Sequence, residues 1–318
     1  MPTVLTSRSA IALLRVTITA ALVAVLVSRL PRDSFSQWSD GWTTASWAWM
    51  FAAVAASVAA SAMGAVRWSR VANAIGVPST FRQLAPHHFA GQLLSSVLPS
   101  TIGGDALRTH RLARSSGDGA RSFTSVVLDR LSGWAVLPVV SLLAFALNPG
   151  LLRLGAATVW AAIVSIGALA VLALLLLAVG PPSGAPLRGR LQRWGSTLRS
   201  SLHAVRLRPG SAIEPLVLSV ASTLMLVAAG YLAARALGIG LSPTAAMAIL
   251  PVVLMIQVIP IGIGGLGLRE GALVVLLAPL GIAAAQAVVL GLAIHALSAT
   301  VGLLGVPALA LPAARVTA

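Results

Sequence analysis

"VLPSTIGGDALR" (Val97–Arg108) and "VIPIGIGGLGLR" (Val258–Arg269) are one helix-breaking phrase written twice in a chain that otherwise avoids charge. The shift that carries Val97 onto Val258 also aligns Pro99 with Pro260, Ile102 with Ile263, and Gly103-Gly104 with Gly264-Gly265. It aligns Leu107 with Leu268 and Arg108 with Arg269 as well, so seven of twelve positions are identical without a gap. An Ala/Leu-rich chain supplies apolar matches by chance, but not Pro, Gly-Gly and Arg together. The phrase therefore marks a duplication covering about half the chain in each copy.

The rest of the sequence says where such a phrase sits. Of 318 residues, 58% are hydrophobic and 9% charged, and the mean hydropathy is +0.94. A soluble domain carries about 25% charged residues, so this is an integral membrane protein. Every basic side chain is Arg, and they fall in gaps between apolar runs. The net charge of +15 is therefore read through the positive-inside rule, and nucleic acid is not an expected partner. Cys is absent, which excludes disulfides and thiolate chemistry.

A spanning helix needs about 20 mostly apolar residues. Such runs occupy 10–30, 44–66, 123–147, 156–179, 213–234 and 282–310, while 84–105 and 245–280 are interrupted by Pro and Gly. No small-residue cleavage site follows the first run, so it is kept as a span rather than a signal peptide. Arg15 within it snorkels to the interface. Trp38, Trp42, Trp47 and Trp49 border the near-neutral loop 31–43 as an interfacial belt. The segment 181–212 holds Arg188, Arg190, Arg193, Arg199, Arg206 and Arg208 with no acid. It reads as a cytoplasmic connection containing an amphipathic helix. With both termini inside, Arg8, Arg67, Arg70, Arg82, Arg111, Arg114, Arg121, those six and Arg315 are cytoplasmic; only Arg29, Arg32, Arg153 and Arg235 face out. The expected architecture is all-α: a single membrane domain of about six spans plus two re-entrant hairpins. Repeat one covers 10–150 and repeat two 151–312. Three crossings per copy invert the second copy relative to the first.

Pro99 and Pro260 should each stop a helix, and the glycine pairs permit positive φ and close backbone approach. A second arm then begins near each pair, its free N–H groups facing the membrane centre. Arg108 and Arg269 lie about one turn into those arms. Two helix N-termini and two guanidinium groups describe a cradle for a phosphate headgroup, with Gly103, Gly104, Gly264 and Gly265 lending backbone donors. Asp105 and Glu270 are expected either to neutralise the neighbouring Arg or to serve in proton coupling or partner exchange. Asp129-Arg130 reads as a pair inside the third span. His87-His88 point about 100° apart on a helix, so an interfacial position is preferred to a metal site. Gln92, Gln257 and His295 are candidate cavity-lining residues beside Ser95 and Ser96. Glu214 reads as a first-turn acid. No catalytic motif, nucleotide fingerprint, metal set or cofactor site is found, so an enzyme is not expected.

The stretches "GQLLSSVLPSTIGGDALR" (91–108), "SVVLDRLSGW" (125–134) and "IPIGIGGLGLREGAL" (259–273) resemble, in order and spacing, the lysylphosphatidylglycerol synthase transmembrane-region family, also called flippase-like. The resemblance covers essentially the whole chain. It implies functional roles for Asp105, Arg108, Arg269 and Glu270, and a place in the bacterial cytoplasmic membrane. Some members attach a cytoplasmic aminoacyl-transferase domain; these 318 residues contain none, so aminoacyl-lipid synthesis is not expected of them. The expectation is a translocase for an anionic phospholipid or lipid-linked phosphate. The alternative is a non-transporting membrane partner that binds lipid or anchors a glycosyltransferase or lipid synthase.

Overall fold

The structure is a computed structural model that describes residues 42–97, 102–178, 190–207, 213–257 and 265–310. Among them the regular structure is wholly helical: α1 (Thr44–Ala74), α2 (Phe81–Val97), α3 (Ile102–Ser116), α4 (Gly119–Leu147), α5 (Ala156–Ala178), α6 (Arg190–Leu207), α7 (Ile213–Ala236), α8 (Pro243–Ile256), α9 (Leu268–Leu277), α10 (Ala284–Leu303) and α11 (Val306–Ala310). Short 3₁₀ turns lie at Pro149–Arg153 and Ala278–Leu280. Five of these helices, α1, α4, α5, α7 and α10, are long and apolar enough to cross a membrane. The expected span 10–30, Trp38, the breakers Pro99 and Pro260, and Gly264 lie outside the described residues.

Two boundaries differ from the hydropathy reading. α1 starts at a capping box between Thr43 and Ser46 and meets no proline before Gly76. There φ of 79° lets the Val77 N–H return to the Ala72 carbonyl at 2.9 Å. The helix therefore runs to Ala74 rather than 66, and Arg67 and Arg70 are helical, not loop residues. The last run, 282–310, is α10 and α11 separated at Leu304-Gly305. Gly305 lies against the Ala90 backbone so closely that no Cβ could be placed there.

The two copies are legible in the helix order: α1-α2-α3-α4 is repeated as α7-α8-α9-α10. The equivalent helices α1 and α7 form the most extensive helix pair, and they run antiparallel. Arg67 near the end of α1 bonds Ser219 near the start of α7 at 3.2 Å, and Arg70 pairs with Glu214 at 2.9 Å. At the other end, Arg235 lies 5.5 Å over the Trp49 ring. Antiparallel equivalents mean opposite orientation of the copies, the arrangement of an inverted repeat. Packing between copies is reciprocal: α8 lies on α4 and α2 lies on α10. Ser141 donates to the Ala248 carbonyl at 2.7 Å in the first contact, and Gln92 to the Ser298 carbonyl at 3.3 Å in the second. Small residues set these approaches, as expected where close van der Waals packing rather than hydrophobic exclusion holds helices together.

Candidate functional site

In each copy a short helix follows the break and packs on the one before it: α3 on α2, and α9 on α8. The aligned glycines do different jobs there. Gly104 is inside the first turn of α3, pressed against the Gly91 carbonyl oxygen and Ser95 Oγ with no room for a Cβ. Gly265 has φ of 78° and Gly267 of 83°, shaping a turn before α9 that L side chains resist.

Arg108 is 4% exposed. Its Nη2 lies 2.6 Å from Asp129 Oδ2 on α4, and its guanidinium stacks 4.1 Å from the Trp68 ring centre. Trp68 is held by its indole N–H donating to Ser125 Oγ at 3.1 Å. The second oxygen of Asp129 takes Arg67 Nε at 2.7 Å. Asp105 accepts three bonds from Arg130, with Nε–Oδ2 at 2.9 Å, Nη2–Oδ1 at 3.0 Å and Nε–Oδ1 at 3.1 Å, and sits 3.5 Å from Arg108 Nη1. Three arginines (67, 108, 130) and two aspartates (105, 129) thus form one chain with a surplus of one positive charge.

This arrangement corrects the expectation of neighbouring pairs. Asp129 and Arg130 are adjacent in sequence and therefore point apart on the helix; each pairs with another helix. Asp105 is held chiefly by Arg130 rather than Arg108. Glu270 does not bond Arg269 in the second copy; its carboxylate caps α9, accepting from the Gly267 N–H at 2.6 Å. Arg269 donates to Gln257 Oε1 at 3.0 and 2.5 Å and to the Gly291 carbonyl at 3.5 Å. The two arginines expected to share a cradle are held by different partners, and α3 and α9 do not form a packed helix pair among the described residues. His88 packs between Gly64 and Trp68. Gln92 accepts from Ser61 Oγ at 2.8 Å and ties α1, α2 and α10 together. His295 is half-buried on α10.

The half-exposed end of the network opens into a groove of about 940 Å³ between α3, α4 and α6. One face of α3 supplies Asp105, Thr109, His110 and Ala113, and one face of α4 supplies Phe123, Val127, Arg130 and Trp134; both sets follow the spacing of a single helical stripe. At 1.5 Å rise per residue the α4 wall is about 20 Å long. Trp194 of α6 stacks on Phe123 at the far end, with centroids 5.0 Å apart and planes 23° apart. The groove thus holds the Arg130–Asp105 pair across its two walls, is otherwise lined mostly by apolar side chains and has the Phe123–Trp194 stack at one end.

A family model described as the lysylphosphatidylglycerol synthase TM region matches residues 12–305. The chain belongs to that family. No curated protein matches it. As a member of the lysylphosphatidylglycerol synthase transmembrane-region family it is a multi-pass membrane protein of lipid metabolism or transport. Sequence reading missed three parts of the site in this member: Arg67, Trp68 and Trp194. The signal for the first two was the absence of any proline between Thr44 and Gly76. For Trp194 it was the lone aromatic on an Arg-rich amphipathic stretch.

Proposed function

We propose that this chain is a lipid translocase that carries a phosphate-bearing headgroup between leaflets of the bacterial cytoplasmic membrane. The observation that supports this is the groove: an Arg130–Asp105 pair sits among apolar side chains and is backed by a network with one uncompensated positive charge. A headgroup phosphate matches the Arg130 fork, while acyl chains follow Val127, Leu131 and Trp134 towards lipid. The pair is 38% and 26% exposed, and ion pairs this open contribute little beyond about 1 kcal/mol, so phosphate can replace Asp105. Asp105 then has Arg108, already 3.5 Å away, to turn to. This handover lets the network admit an anion without leaving the Asp105 carboxylate unpaired. Rocking of one antiparallel copy against the other would present the groove to each side in turn. No bond is made or broken, so the reading requires no catalytic group.

The test uses the purified chain in vesicles containing phosphatidylglycerol labelled with a reducible fluorophore. Faster transfer between leaflets than in protein-free vesicles is expected, and equal rates would contradict the reading. The anchoring alternative rests on α6, which packs at the groove mouth. Deleting residues 181–212 should slow transfer if α6 only gates the groove; loss of a bound synthase with transfer intact would favour the anchor.

A further inference from the structure

The shift that superimposes the two breaks carries Thr109 onto Glu270 and Arg130 onto Gly291. The place that is an open groove in the first copy is closed in the second, and a carboxylate fills it. Glu270 is 1% exposed, and its side chain lies flat on Gly291, where a Cβ would come within 2.9 Å of Glu270 Cγ. One carboxylate oxygen takes the Gly267 N–H. The other, Oε1, is buried without a hydrogen-bond partner. A buried ionised oxygen left unpaired is costly, and the Arg269 guanidinium donates to Gln257 Oε1 and the Gly291 carbonyl.

We propose that Glu270 is a proton-carrying site that couples headgroup movement to a proton gradient; the coupling rests on the translocase reading above. The proton forms a bond to Glu270 Oε1 on one side of the membrane and returns to water on the other, with no electron transfer. A metal ion fits poorly, because the neighbouring groups are an N–H donor and a guanidinium rather than oxygen ligands. Of the elements packed on α9, α5 and α8 carry no titratable side chain. α10 contributes His295, whose Nδ1 is likewise buried without a partner, and α9 itself contributes Arg269. Charge explains the coupling. With Glu270 ionised, Arg269 and Glu270 cancel. With Glu270 protonated, Arg269 gives the second site the same surplus of one positive charge as the first, and so favours an anion in the symmetric position.

The test compares wild type with Glu270→Gln, which keeps an oxygen for the Gly267 N–H. Infrared titration in lipid discs should show a protonated-carboxyl band that changes with pH in wild type and is missing in the variant. In vesicles, an imposed pH gradient should speed wild-type transfer several-fold, and that ratio should fall to one in the variant. An identical carboxyl titration in both proteins, an unchanged ratio in the variant, or acceleration by a sodium gradient alone would overturn the proposal. If wild type moves no lipid under any gradient, the translocase reading fails and coupling fails with it, while the infrared titration still decides the proton site.

Discussion

The two hairpins began as the same phrase and now hold their arginines by opposite means. Arg108 is neutralised by a carboxylate from α4 and covered by Trp68. Arg269 is bound by an amide and a backbone carbonyl. The positions that repeat one fills with Arg67, Trp68, Asp105 and Asp129 are Ala228, Ala229, Leu266 and Leu290 in repeat two. One copy became a charged, half-open site and the other a closed, nearly neutral one. The helix order recurs while the glycine turns and the side chains around the arginines differ, so symmetric places can take different roles.

Substitutions can break that contrast at graded cost. Asp129→Ala strands two arginines in the interior, and removing one member of a buried ion pair costs about 3–5 kcal/mol. We expect the largest loss of thermal stability in detergent from this variant. Gly104→Ala drives a methyl into the Gly91 backbone, and overpacking of this kind costs up to about 3 kcal/mol; the unfolding temperature should fall clearly, though less. Arg269→Ala removes the donors to Gln257 and the Gly291 carbonyl, about 1–3 kcal/mol, so it should unfold at a higher temperature than Asp129→Ala. Equal shifts would erase the asymmetry. Glu214→Ala removes an exposed partner of Arg70, with side chains 54% and 60% exposed, and should shift stability by less than about 1 kcal/mol.

The architecture was open to reading because its signals are local. Clustered Pro and Gly interrupt helices, and a repeated cluster reports a repeated fold. Partner choice in the site was not local. Asp129 and Arg130 look like a pair in sequence, but neighbours on a helix diverge, and only the packing of α1 and α3 on α4 shows that each serves another helix. Arg67 was hidden by hydropathy, which ends a span where charge begins, whereas the helix continues until Gly76. The glycine pairs looked equivalent because composition does not distinguish a glycine needed for contact, Gly104, from one needed for positive φ, Gly265. The sidedness of the membrane rests on the arginine bias. Single cysteines at Ser36 and Ser196 should be labelled by an impermeant reagent in intact cells at position 36 and not at 196.

The most direct measurement is lipid transfer by Arg130→Gln in reconstituted vesicles, with elution as a folded monodisperse protein as the control. Charge-assisted bonds from a guanidinium contribute about 1.5–3 kcal/mol, so transfer of labelled phosphatidylglycerol should slow by roughly tenfold or more. A folded Arg130→Gln protein that moves lipid as fast as wild type would show that the headgroup does not pass through this groove.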